Sequence, residues 1–124
     1  MILRDKLNTR IENKPSITDQ ANVILSHRYL LKNSENKVIE TPEELFKRVA
    51  KAVASIDTTY GKLPVDAELT AKDFYLMMSN LEFIPNSPTL MNAGTEQGTL
   101  SACFVLPLED SMEGIMKSST DAAM

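Results

Sequence analysis

The chain of 124 residues holds one cysteine, one histidine and no tryptophan, and each scarcity excludes a kind of chemistry. With Cys103 alone, no intrachain disulfide and no cysteine-based metal cage can form. With His27 alone there is no histidine pair, so no metal site is expected. Thirteen basic against 17 acidic side chains give a formal net charge of −4, and there are only three Tyr and four Phe. The chain thus lacks both the positive footprint and the stacking surface of a nucleic-acid binder. No apolar run approaches the roughly 18 residues that cross a bilayer, and the opening Met1-Ile2-Leu3-Arg4-Asp5-Lys6 lacks the apolar stretch of an export signal. Neither nucleic acid nor membrane is therefore expected as a partner, and the cytoplasm is the expected compartment. What remains is one small soluble domain, long enough to hide about two-thirds of its extended-chain surface in a single modest core.

Residues 1–16 are polar and unpatterned, with Lys14-Pro15 stopping any helix, and read as a tail. From Thr18, the apolar steps Ala21, Ile24, Leu25 and Tyr29 predict a helix reaching about Leu31, followed by a polar connector and a short extended piece at Val38-Ile39. Thr41-Pro42-Glu43-Glu44 joins a threonine cap, a first-turn proline and an acid three residues after the cap. It opens a helix expected to run to about Tyr60 and to stop at Gly61. Leu45, Phe46, Val49, Ala50, Val53, Ile56 and Tyr60 would be buried, with Lys47, Arg48 and Lys51 in water. A third helix is predicted over Thr70–Leu81, capped by Thr70 and Asp73, burying Phe74, Met77, Met78 and Leu81. Three such helices make a small bundle. From Ile84 to Thr95 two prolines, two asparagines and a glycine predict a loop with no regular helix. Leu100–Leu106 then alternates as a strand with Ser101, Cys103 and Val105 on one side, and a final helix opens at Asp110 or Ser111.

Cys103 is the strongest nucleophile in the chain. From spacing alone it reads first as a buried small hydrophobe, with a redox thiol as the alternative. Ser87 and Thr89 flank Pro88 among turn residues, a composition that serves either a plain turn or a phosphate cradle. His27 reads as a helix-surface histidine without a role, and Met77 and Met78 as core filler.

The run Asn86-Ser87-Pro88-Thr89-Leu90-Met91-Asn92-Ala93-Gly94-Thr95, then Leu100-Ser101-Ala102-Cys103-Phe104-Val105-Leu106-Pro107 and Glu109-Asp110-Ser111-Met112-Glu113-Gly114-Ile115, closely resembles the large catalytic subunit of ribonucleotide reductases. Arg28-Tyr29-Leu30-Leu31 and Thr41-Pro42-Glu43-Glu44-Leu45-Phe46 resemble the all-helical N-terminal region of the same family. Ser101-Ala102-Cys103, with Met91 after Ser87-Pro88-Thr89-Leu90, looks more like the adenosylcobalamin-dependent class than the di-iron class.

The resemblance implies a mainly α fold: a helical domain over 17–84, then over 85–124 the first loop, strand and helix of an incomplete ten-stranded α/β barrel. It also implies reduction of ribonucleoside diphosphates at the 2′ carbon by thiyl-radical chemistry. In that reaction Cys103 would be the first redox thiol, ending in a disulfide with a cysteine this chain lacks. Ser87 would lie near the substrate phosphates, and Ser101 and Ala102 would line the substrate. Adenosylcobalamin, bound by parts not in this chain, is the implied cofactor. The implied partners are a ribonucleotide, the remaining C-terminal part of a reductase and a thioredoxin-type reductant, with an oligomer left open. On this view the 124 residues are an N-terminal fragment, inert alone. The rival reading is a non-catalytic helical interaction module.

Overall fold

The computed structural model describes residues 14–124, so most of the expected tail, residues 1–13, lies outside the described residues. Among the described residues five α-helices follow one another: α1 Asp19–Arg28, α2 Pro42–Ser55, α3 Pro64–Ser79, α4 Ser87–Asn92 and α5 Met112–Ala123, with a 3-10 turn Ile56–Tyr60 continuing α2. Among the described residues the only β-type pairing is a single antiparallel bridge between Lys32 and Val38, around a turn in which Asn36 takes φ 62°. A mainly helical fold is thus what the chain adopts.

The helix starts follow local chemistry. Thr18 caps α1, its hydroxyl accepting the Ala21 amide at 3.2 Å. Thr41 and Glu44 close a reciprocal capping box at the head of α2, with Pro42 in the first turn, where its missing N–H costs nothing. Gly61 ends the 3-10 turn at φ 87°, as its position after Tyr60 predicts. Ser111 caps α5, accepting the Gly114 amide, with Glu113 in the first turn.

α2 packs along α3 as the dominant helix pair, and α4 closes against α2. Their shared core holds Leu45, Phe46, Val49 and Ala50 from α2, Tyr75, Leu76 and Met78 from α3, Leu90 and Ala93 from the α4 region, and Leu30 after α1. Leu45 and Leu76 are the largest wholly buried side chains, each contributing about 1.5–3 kcal/mol by leaving water.

Five expectations are corrected. The apolar stripe sinks only its first half: Val53 is exposed although still in α2, and the shift to 3-10 winding at Ile56 leaves Ile56 and Tyr60 turned outward. Ile24 of α1 is likewise exposed, and Leu30 just past the helix is buried instead. α3 starts six residues early, with Pro64 in its first turn, so Thr70 is interior and its hydroxyl bonds the Asp66 carbonyl at 2.9 Å rather than capping. The same helix ends before Leu81, which takes φ 59° and stays more than half exposed. The loop over 84–95 contains α4, whose Pro88 falls in the first turn where helices tolerate proline.

The strand expected over Leu100–Leu106 does not form; residues 101–111 are irregular and exposed. A strand is stabilised by ladder hydrogen bonds to a neighbour, and no second extended segment lies alongside it among the described residues. The strand-face argument that set Ser101 and Cys103 on one side therefore has no sheet to refer to.

Candidate functional site

The Ser-Pro-Thr segment is folded, not a plain turn. Asn86 caps α4, its Oδ1 accepting the Thr89 amide at 3.2 Å. Ser87 is thereby held at the first position of α4, exposed, with its Oγ 2.9 Å from the Tyr29 hydroxyl at the end of α1.

The other end of α4 is held by a side chain expected in water. Arg48 lies with only 13% of its side chain exposed, against Glu40 at 6%. Its Nε and Nη2 donate to the two Glu40 carboxylate oxygens at 2.7 and 3.0 Å. Nη1 donates to the Ala93 carbonyl at 2.5 Å and Nη2 also to the Leu90 carbonyl at 3.2 Å. Glu40 additionally accepts the Leu31 amide at 3.1 Å. A buried charge pair is tolerated only when its remaining hydrogen-bonding capacity is met, and here four guanidinium contacts and three carboxylate contacts meet it. The network is a correction to the solvent-facing Arg48 of the sequence reading. Its partners lie 8, 42 and 45 residues away, so helical periodicity carries no trace of them. The one available hint is that Arg48 borders the apolar stripe beside Val49.

α4 also anchors the chain that follows it. Asn86 Nδ2 and the Thr89 hydroxyl both donate to the Leu100 carbonyl, at 3.2 and 3.1 Å, and Asn92 Nδ2 donates to the Thr99 carbonyl at 2.8 Å. The two stretches singled out in the sequence are therefore joined at Leu100, directly before Ser101. Beyond that tie, Ser101, Ala102 and Cys103 are exposed. The thiol of Cys103 is free and open to its surroundings, against the reading of a buried small hydrophobe. Thr89 and Leu100 also border an apolar groove of about 420 Å³ whose other walls include Phe74, Met77 and Phe83. His27 is exposed on α1, where it borders an open hollow together with Tyr29 and Asn92. No three His, Cys, Asp or Glu side chains converge as a metal site among the described residues. Nor is any described helix long and apolar enough to cross a membrane.

The class these features define is an all-helical domain that ends in a capped serine-bearing helix and an open, thiol-bearing segment. Residues 16–98 match the family model described as ribonucleotide reductase, all-alpha domain. The chain is 42% identical to the vitamin B12-dependent ribonucleoside-diphosphate reductase of Mycobacterium tuberculosis, over 94% of its own length and 16% of that protein. It is 34% identical to the protein of that description from Thermoplasma acidophilum, over 92% of this chain and 22% of the relative. To the ribonucleoside-diphosphate reductase subunit alpha of Helicobacter pylori it is 34% identical, over 95% of this chain and 14% of that protein. The chain therefore belongs to the ribonucleotide reductase family, as its large-subunit all-alpha domain, and it spans less than a quarter of the length of these relatives.

Proposed function

We propose that this chain supplies the helical domain and the first substrate-facing segment of a vitamin B12-dependent ribonucleoside-diphosphate reductase. The cobalamin-class reading is supported by the names of two of its relatives and the diphosphate reading by all three. In this reading Cys103 is one of two thiols that together deliver two protons and two electrons. The 2′ hydroxyl leaves as water, and the thiols end as a disulfide, which an external dithiol of the thioredoxin kind returns to the reduced state. The second thiol comes from other polypeptide, since Cys103 is the only cysteine here. Ser87 offers its hydroxyl to a substrate phosphate, and Ser101 and Ala102 border the nucleotide.

The cofactor is not assigned to these residues. The hollows among the described residues are open and of small-ligand size, one of about 510 Å³ being lined by Lys14, Lys47, Lys72 and Tyr75. A corrinoid is larger than the ligands such hollows take. The groove beside Thr89 and Leu100 is apolar, without the polar partners that the rim of amide side chains on a corrinoid requires. Cobalamin is therefore assigned to other polypeptide.

The single observation that carries the reading is the free, exposed Cys103 on a segment tied to the head of α4 through Leu100. A thiol that must meet both a substrate and a second cysteine from elsewhere needs this openness. The test combines the chain with a polypeptide covering the remaining length of a B12-dependent relative, then measures deoxyribonucleotide formation. Activity is expected with the native chain and at least about a thousandfold less with Cys103→Ser, because a redox thiol has no substitute in the chain. Unchanged activity in that variant would favour a non-catalytic helical module.

A further inference from the structure

α4 has six residues, fewer than two turns. An isolated helix is marginal in water even at about 12–15 residues, so the position of α4 must be set by what grips it. Both of its ends are gripped from elsewhere in the bundle, the head from the end of α1 and the tail from α2. At the head, the Tyr29 hydroxyl meets Ser87 Oγ at 2.9 Å. At the tail, where a helix leaves carbonyls without partners and favours a cation, Arg48 donates to the Leu90 and Ala93 carbonyls. Arg48 cannot wander, because Glu40 holds it bidentately and Glu40 is itself fixed by the Leu31 amide. Tyr29 and Leu31 lie two residues apart, so a single piece of backbone sets the spacing between the two grips.

We propose that Tyr29 and Arg48 are positioning residues that hold α4 by its two ends and so fix the Ser87 hydroxyl for a phosphate of a nucleoside diphosphate; the phosphate part rests on the reading of Ser87 above. A hydroxyl accepts and donates at once. With Tyr29 donating to Ser87 Oγ, the serine proton is left to donate to a phosphate oxygen, and the serine rotamer is set before the ligand arrives. Arg48 acts through the helix backbone and does not touch substrate.

The grip is tested on the full chain by hydrogen exchange. In Arg48→Met, which removes both charge-assisted bonds to the α4 carbonyls, the amides of Leu90 to Ala93 should exchange at least about tenfold faster, and by a clearly larger factor than those of Val49 and Leu76. Should Arg48→Met fail to fold, Arg48→Lys takes its place, retaining charge but losing the fork and most of the α4 protection. Unchanged α4 rates overturn the grip. So does an equal loss across α2 and α3, which would make Arg48 a general stability residue.

The phosphate part is tested with Tyr29→Phe in the reconstituted reductase. Its KM for the ribonucleoside diphosphate should rise about three- to tenfold, as for one lost neutral hydrogen bond, with kcat within about twofold. A fall in kcat at unchanged KM overturns that part. If the native chain restores no activity with any complementary piece, the reductase reading fails, and the exchange rates still decide whether α4 is held this way.

Discussion

Glu44 and Thr41 exchange bonds across the first turn of α2. The Glu44 amide donates to Thr41 Oγ1 at 3.2 Å, while Glu44 Oε2 accepts the Thr41 amide at 2.8 Å and the Thr41 hydroxyl at 2.9 Å. The backbone N–H of Thr41, seconded by its hydroxyl, holds the Glu44 carboxyl below its ordinary value, with Lys47 adding to the effect. A folded-state value below the unfolded one contributes stability that is present above the unfolded pKa and lost as pH falls through the folded one. Glu44→Gln should therefore be less stable than the native chain at neutral pH. The gap should close as pH drops from about 4.3, the ordinary glutamate value, toward 2. Thermal melts across that range check it, and a gap independent of pH would mean the carboxylate charge plays no part. This box was legible because every participant lies within four residues of the others. Arg48, four residues further on, was not: its role depends on carbonyls that only the folded chain brings near.

Among elements, the ends of α3 and the whole of α4 show where local signals compete. Thr70 and Asp73 satisfy the capping pattern, yet a start at Pro64 lets Ala67 be buried and gains six residues of backbone bonding. α4 was hidden by its prolines, which mark a loop unless one of them falls in a first turn, as Pro88 does. The turn after α4 is then confined by the Arg48 grip. Gly94 has φ 74°, and a Cβ added there would stand 3.1 Å from Arg48 Cγ and 3.4 Å from Ala52 Cβ. A side chain at this position meets both left-handed strain and crowding. Gly94→Ala should cost about 1–2 kcal/mol for the backbone conformation alone. Denaturant titration should show the loss, whereas Gly61→Ala, also left-handed but with open space around it, should lose no more than Gly94→Ala. A smaller loss at Gly94 would show that Arg48 yields without consequence. The expected strand at Leu100–Leu106 failed for a different reason: its alternation was real, but a strand needs a partner as well as a pattern.

At the scale of the molecule, the chain after Ala93 adds apolar surface but, among the described residues, nothing to the buried core. Every residue of the buried core lies between Leu30 and Ala93, while Phe104, Val105, Leu108, Met112 and Met116 are exposed and α5 buries nothing. Contact with another polypeptide, as the proposed function requires, would cover these side chains, in keeping with a domain that accounts for less than a quarter of its relatives' length. The ties that hold the segment after α4 end at Leu100. Deleting residues 102–124 should therefore shift the thermal midpoint by less than about 4 °C, the equivalent of about 1 kcal/mol in a domain of this size. The shortened chain should also stay in solution at concentrations where the full chain associates. Amides of 42–55 should exchange slowly in both forms, and those of 102–108 at once in the full chain. A steep fall in the midpoint on deletion would show that the thiol-bearing segment packs on the helices. Cys103 would then lose the openness on which a shared redox pair depends.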